Sequence, residues 1–173
     1  MVTLIGMGSG CWKALSAQAH DAVRGAGLVF GAKRLLAGLP ADCTAQRFAL
    51  YKPEEILDTL AQHPGQDAAV LYSGDTGFYS GASGLLTPLR ALGIPARVYP
   101  GVSSIQLLSA ALGRPWQDWK LASAHGFSCD PVGLCMTHKA VFFLTGGTET
   151  PASLCRRLSD AGLGNAHATV GEN

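Results

Sequence analysis

The chain has 173 residues, and its 13 Lys and Arg against 12 Asp and Glu leave a formal net charge of +1. Hydrophobic residues make up 47% and charged residues 14%, against roughly 25% charged in ordinary soluble domains, so the chain can bury a sizeable core and is not a disordered segment. Near-neutral charge excludes an electrostatic nucleic-acid binder and a polybasic membrane-surface protein.

Short β-type runs alternate with helical segments, the pattern of an α/β layered fold. Val2–Ile5 is an apolar strand that runs into Gly6-Met7-Gly8-Ser9-Gly10. Ser16 caps a helix to about Arg24, with Gly25 beyond its end. Leu28–Phe30 is a second strand, followed by Gly31 and a basic helical turn at Lys33-Arg34-Leu35-Leu36. Pro53 stands at the first position of a helix that runs through Gln62 and is ended by His63-Pro64-Gly65. Ala68–Tyr72 is a continuous apolar run, as in a buried parallel strand. It breaks into Ser73-Gly74-Asp75-Thr76-Gly77, and a helix is expected from there to about Leu92. Arg97–Tyr99 is a strand, and Ser103-x-x-Gln106 reads as the capping box of a helix through Leu112. Gly113-Arg114-Pro115-Trp116 breaks the pattern, so the domain boundary is placed there, giving domains 1–114 and 115–173. Trp119–Ala122 and Ala140–Leu144 follow as strands, Thr150-Pro151 opens a helix ending near Gly162, and Ala166–Val170 reads as one more strand.

The 22 glycines are nearly twice the usual share of about 7%. Three small-residue segments follow three strands: Gly6–Gly10, Ser73–Gly81 and Tyr99–Ser104. In open α/β sheets ligands bind at the carboxyl ends of the strands, so the three loops imply one crevice lined by backbone groups. The chemistry of such a crevice suits a ligand with polar edges and little phosphate charge. The first glycine cluster lacks the third small residue of the G-x-G-x-x-G fingerprint, because Cys11 and Trp12 follow Gly10, and no acidic residue closes the second strand. That counts against a nicotinamide dinucleotide site. Without a Lys in the Ser73–Gly81 loop there is no P-loop, and without a G-x-S-x-G elbow there is no hydrolase nucleophile. Asp75 either caps the following helix or faces a ligand. His125, Cys129, Cys135 and His138 fit no regular zinc spacing, so no metal is expected. The five cysteines form no C-x-x-C pair and are read as reduced thiols. With no basic leader and no apolar run of roughly 18–20 residues, the expected compartment is the cytoplasm.

The stretches Gly74-Asp75-Thr76-Gly77-Phe78-Tyr79-Ser80-Gly81 and Tyr99-Pro100-Gly101-Val102-Ser103-Ser104, with the glycine-rich start and Ser123-Ala124-His125-Gly126, resemble the tetrapyrrole (corrin and porphyrin) methylases. Within them the chain is most similar to the C5-methyltransferases of the cobalamin pathway. The resemblance implies two small α/β domains with a ligand cleft between them, S-adenosylmethionine as cofactor and a tetrapyrrole, a precorrin or cobalt-precorrin, as substrate. By matched motif it implies Ser73, Gly74, Asp75, Phe78, Ser103, Ser104 and Leu144 as cofactor contacts, and Gly8, Ser9, Tyr79 and His125 beside the substrate. No catalytic residue is assigned. Arg34, Arg47, Arg114 and Lys120 are candidates for the substrate's carboxylates. A homodimer is implied, as is a C15-methylating, decarboxylating partner, fused or separate. Relatives commonly carry Pro where Ser9 stands and Arg where Phe127 stands. They also extend a few tens of residues past Val170–Asn173, so the second domain is expected to be incomplete. The alternatives are a tetrapyrrole- or cofactor-binding module without turnover, and a methylase acting at another ring position.

Overall fold

A computed structural model describes residues 1–126 and 128–172. The chain divides into two compact units, Met1–Ser103 and Ser104–Asn173. The helix before the Gly113–Trp116 break therefore groups with the second unit, not the first.

The first unit is a five-stranded parallel sheet in the order β3-β2-β4-β1-β5. Its strands are β1 (Val2–Gly6), β2 (Leu28–Gly31), β3 (Gln46–Phe48), β4 (Ala68–Tyr72) and β5 (Ala96–Tyr99). The connecting helices are α1 (Ala17–Arg24), α2 (Lys33–Ala37), α3 (Pro53–Gln62) and α4 (Ala82–Ala91). The central strands are buried and apolar at nearly every position, Thr3 of β1 being the buried polar exception, because helices cover both faces of the sheet. On one face Ile5, Val29, Ala69 and Leu71 pack with Ala19 and Val23 of α1 and Leu35 and Leu36 of α2. On the other, Leu4, Leu28, Phe30 and Val70 pack with Ile56 of α3 and Leu85 and Leu89 of α4. Phe30 is fully buried and stacks on Phe48 of β3 with ring centroids 5.2 Å apart.

Local signals set the helix ends. Ser16 accepts from the Ala19 N–H at the start of α1, and Pro53 opens α3 with Glu54 and Glu55 in its first turn. The helix expected after Gly77 begins only at Ala82, with Gly81 at its N-cap. The intervening turn carries Tyr79 at φ +47°, a left-handed conformation for a non-glycine residue. β3 has no counterpart in the sequence reading. It is an edge strand of three residues, with Gln46 and Arg47 exposed.

The second unit holds α5 (Ser104–Leu112), α6 (Pro131–Thr137), α7 (Pro151–Leu158) and two parallel strands, β6 (Lys120–Ser123) and β7 (Val141–Leu144). Asp130 caps α6 by accepting from the Gly133 N–H, and Thr150 and Ser153 form a reciprocal capping box on α7. A kinked segment, Ser159–Leu163, follows α7, broken at Gly162, whose φ is +83°. The strand expected at Ala166–Val170 does not form. Those residues are exposed coil, and among the described residues no strand pairs with them. No helix of the described residues is long and apolar enough to cross a membrane.

Candidate functional site

In the first unit the loops after β1, β4 and β5 meet backbone against backbone. Gly8 donates to the Gly74 carbonyl at 3.0 Å, and Gly74 returns a bond to the Gly8 carbonyl at 2.8 Å. These two bonds form an isolated antiparallel bridge between loops that leave parallel strands. A Cβ on Gly6 would lie 2.5 Å from the Gly101 nitrogen and 2.8 Å from the Gly74 oxygen. One on Gly101 would strike the Gly74 oxygen and lie 2.6 Å from the Gly6 carbonyl. Only glycine fits at positions 6 and 101, because no backbone atom there can swing aside as a side chain can.

Asp75 ties the same loops together. One carboxylate oxygen accepts from Gly77 N–H at 2.7 Å, and the other accepts from Gly101 N–H at 3.1 Å. It does not cap α4, which starts further along the chain. Thr76 adds a longer bond to the Tyr99 carbonyl, 3.4 Å. Phe78 and Tyr79 pack edge to face, with centroids 4.9 Å apart. Ser103 is buried at the end of the β5 loop, whereas Ser9 is exposed in the β1 loop.

The structure thus brings Gly8, Gly74 and Asp75 into one hydrogen-bonded cluster, with Ser73 beside it. The polar atoms of Gly8 and Gly74 are engaged with each other, so these residues supply shape to a ligand. The Cβ direction of Gly74 opens onto free space, with no heavy atom within 4 Å. Its φ of +66° favours glycine as well. Such a bare backbone floor admits close approach of a ligand.

Of the four basic residues named from the sequence, Arg34 is a neighbour of these loops. Its Nη2 donates to Ser73 Oγ at 2.5 Å, and a Cβ built on Gly10 would lie 3.4 Å from its Nη1. The topology explains the meeting. β2 lies beside β4, and Gly31 is in register with Leu71, so the first turn after β2 reaches the residue just past the end of β4. Arg47, by contrast, donates to the carbonyls of Leu36, Pro40 and Cys43 at 3.2, 3.0 and 3.4 Å. It is a clamp on the chain between α2 and β3, not a ligand group.

In the second unit, Leu144 and His125 lie at the carboxyl ends of β7 and β6, joined by the Ala124 N–H to Leu144 carbonyl bond of 2.8 Å. The His125 ring rests on Gly146, where a Cβ would overlap Nδ1. Its own N–H is held 3.3 Å from Ser123 Oγ. Ser104 opens α5 and is half-buried. The segment with Cys129, Cys135 and His138 contains α6, opened by Asp130-Pro131. Among the described residues no group of three His, Cys, Asp or Glu side chains is placed to hold a metal. Phe127, the departure from the family's His-Gly-Arg, lies outside the described residues.

The sequence matches the family of Tetrapyrrole (Corrin/Porphyrin) Methylases over residues 1–173. This chain belongs to that family. As a tetrapyrrole methylase it is 33% identical to the cobalt-precorrin-7 C(5)-methyltransferase of Salmonella typhimurium, over 100% of this chain and 85% of that protein. The fold is that of the methyltransferase CobJ, with a TM-score of 0.65 and 22% identity over 74% of this chain, which spans 58% of that structure. It is also that of the Thermus thermophilus uroporphyrin-III C-methyltransferase, complexed with S-adenosyl homocysteine, at a TM-score of 0.68 and 22% identity over 93% of this chain and 72% of that one. Members of the family use S-adenosylmethionine.

Proposed function

We propose that this tetrapyrrole methylase transfers the methyl group of S-adenosylmethionine to C5 of a precorrin or cobalt-precorrin. The observation that carries the reading is the fusion of the three motif loops through Gly6, Gly74, Gly101 and Asp75, in a chain 33% identical to a C5-methyltransferase over its full length.

Bound S-adenosylmethionine supplies an electrophilic methyl carbon on a positively charged sulfur. The protein's task is position, because an acceptor carbon held in line with the S–CH3 bond gains about 7–11 kcal/mol from pre-arranged geometry. The bridged Gly8 and Gly74 present a rigid floor that admits close approach of backbone to ligand. Ser73 keeps its own O–H as a donor while its oxygen accepts from Arg34. Ser103, Ser104 and Leu144 are assigned as further cofactor contacts, with Phe78 as an apolar neighbour. Gly8, Ser9, Tyr79 and His125 are assigned to the acceptor's side. Transfer would form the C5–CH3 bond from the ring's conjugated pair, leave the S–CH3 pair on sulfur and release the C5 proton to solvent. Asp75, whose two oxygens accept the Gly77 and Gly101 N–H groups, is assigned to tying the loops together.

The described cysteines, at 11, 43, 129, 135 and 155, are all free thiols, which fits a reducing cytoplasmic setting. Homodimer formation belongs to the same proposal and is read by sedimentation. The deciding experiment is calorimetric titration with S-adenosylhomocysteine against NAD, followed by transfer of a carbon-13-labelled methyl group to a precorrin acceptor and mapping of the labelled carbon. Saturable binding of S-adenosylhomocysteine alone and label at C5 are expected. Label at another ring carbon refutes C5 specificity, and binding of S-adenosylhomocysteine and the precorrin without transfer favours a non-catalytic binding module.

A further inference from the structure

The geometry points to Arg34 as the residue that recognises a carboxylate of the acceptor, with Ser73 as the hydroxyl that orients it. The inference rests on the tetrapyrrole reading above, and it selects one cation from among the exposed arginines and lysines of the chain.

Three observations converge on this side chain. Arg34 is exposed at the start of α2, while its neighbours Leu35 and Leu36 are buried, so α2 is anchored and the guanidinium stands at the carboxyl edge of the sheet. Its position there is fixed by the hydrogen bond to Ser73 of the β4 loop, and its Nη1 stands 3.4 Å from the point a Cβ on Gly10 of the β1 loop would occupy. Among the described residues no carboxylate pairs with it, whereas Arg24, Lys52 and Arg157 each have an acidic partner. An exposed arginine usually loses rotamer entropy when it binds an anion. Here one N–H is already committed to Ser73, so the fork is oriented beforehand and the remaining donors are free for a two-point bond to a carboxylate. Arg47 is excluded by its three carbonyl bonds. Lysine would not substitute fully, since a point charge cannot hold the hydroxyl and both carboxylate oxygens in one plane.

The test uses uroporphyrin III as a polycarboxylate probe whose binding is read by fluorescence and needs no turnover. Arg34→Gln is expected to weaken probe binding by about 10–100-fold, the range for a hydrogen-bonded charged pair. Arg34→Lys should fall between the two, and S-adenosylhomocysteine binding should stay within about threefold of wild type. Arg90→Gln, on the exposed end of α4, removes the same charge elsewhere and should change nothing beyond about twofold; circular dichroism checks that all variants fold. The inference is overturned if the wild-type chain does not bind the probe, if Arg34→Gln matches Arg90→Gln, or if affinity for S-adenosylhomocysteine falls in parallel. The two readings fail separately. Arg34-dependent probe binding without methylation at C5 keeps the subsite and rejects C5 transfer, while C5 methylation with an acceptor KM indifferent to Arg34 does the reverse.

Discussion

Replacing Gly101 by Ala isolates the contact on which the three motif loops depend. Gly101 has no left-handed φ, so the substitution adds a steric cost and no conformational one. The new Cβ would lie 2.6 Å from the Gly6 carbonyl, and ordinary carbon contact begins at about 3.5 Å. The loops must part by most of that difference. Parting them stretches two bonds, Gly8 N–H to Gly74 carbonyl at 3.0 Å and Gly101 N–H to Asp75 at 3.1 Å. At about 1 kcal/mol for each bond and about 1–3 kcal/mol for overpacking, the expected loss is about 3–5 kcal/mol. Urea unfolding, with S-adenosylhomocysteine titration of the folded fraction, reads both stability and the site, and binding should weaken at least about tenfold. Gly93→Ala is the control. Gly93 has φ +66° and nothing within 4 Å of its Cβ position, so only the left-handed strain of about 1–2 kcal/mol applies. If Gly101→Ala costs no more than Gly93→Ala, the close packing of the loops does not support the site and the reasoning is wrong.

Asp75→Asn replaces one acceptor oxygen by an N–H2 that faces a backbone N–H, and a loss of about 1–3 kcal/mol in unfolding free energy is expected, with weaker S-adenosylhomocysteine binding; unchanged binding would remove Asp75 from the site's framework. Arg47→Ala frees the carbonyls of Leu36, Pro40 and Cys43 and should lower stability while leaving uroporphyrin III affinity unchanged once folded, the opposite of Arg34→Gln. Burial at the end of β4 pushes the Tyr72 hydroxyl up to about 12 from 10.0. Between those values the folded chain holds a proton that the unfolded chain has lost, so stability is full below pH 10 and falls as pH rises toward 12. The ceiling of that fall is about 3 kcal/mol, reduced because Tyr72 is only half-buried. Tyr72→Phe should flatten this part of the stability profile, and a slope equal to wild type would place its origin in other groups.

What could be read in the sequence was local. Ala68–Tyr72 and Pro53–Gln62 stand at their expected limits because a doubly covered strand and a proline-opened helix announce themselves within their own residues. The same holds for Ser16 at the start of α1. β3 was invisible because Gln46-Arg47-Phe48 becomes a strand only through pairing with β2 at an edge. The error at Ala166–Val170 has the same origin. Ala and Val alternating with His167 and Thr169 give the period of a strand, but a strand exists only beside a partner, and among the described residues none is paired there. The helix expected straight after Gly77 fails for a different reason. Asp75 folds its carboxylate onto Gly77, and Tyr79 then takes a left-handed turn, so a helix cannot start before Ala82.

The candidate site divides along the same line, and the division has a chemical consequence. That three small-residue loops share one edge of the sheet follows from the chain's α/β alternation, and glycine at positions 6, 8, 74 and 101 is a local signature of close backbone approach. What Asp75 does with its carboxylate is not local, because its second partner, Gly101, comes from another loop. Nor is the position of Arg34, which needs the strand order β2-β4-β1 to bring α2 beside Ser73. The glycine-built floor would serve any acceptor of a shared methyl donor, since it presents shape and no charge. Discrimination among acceptors must then come from charged side chains that topology delivers to the rim, and among the residues placed around these loops Arg34 is held in position without an acidic partner. A sequence motif therefore identifies the donor chemistry more readily than the acceptor.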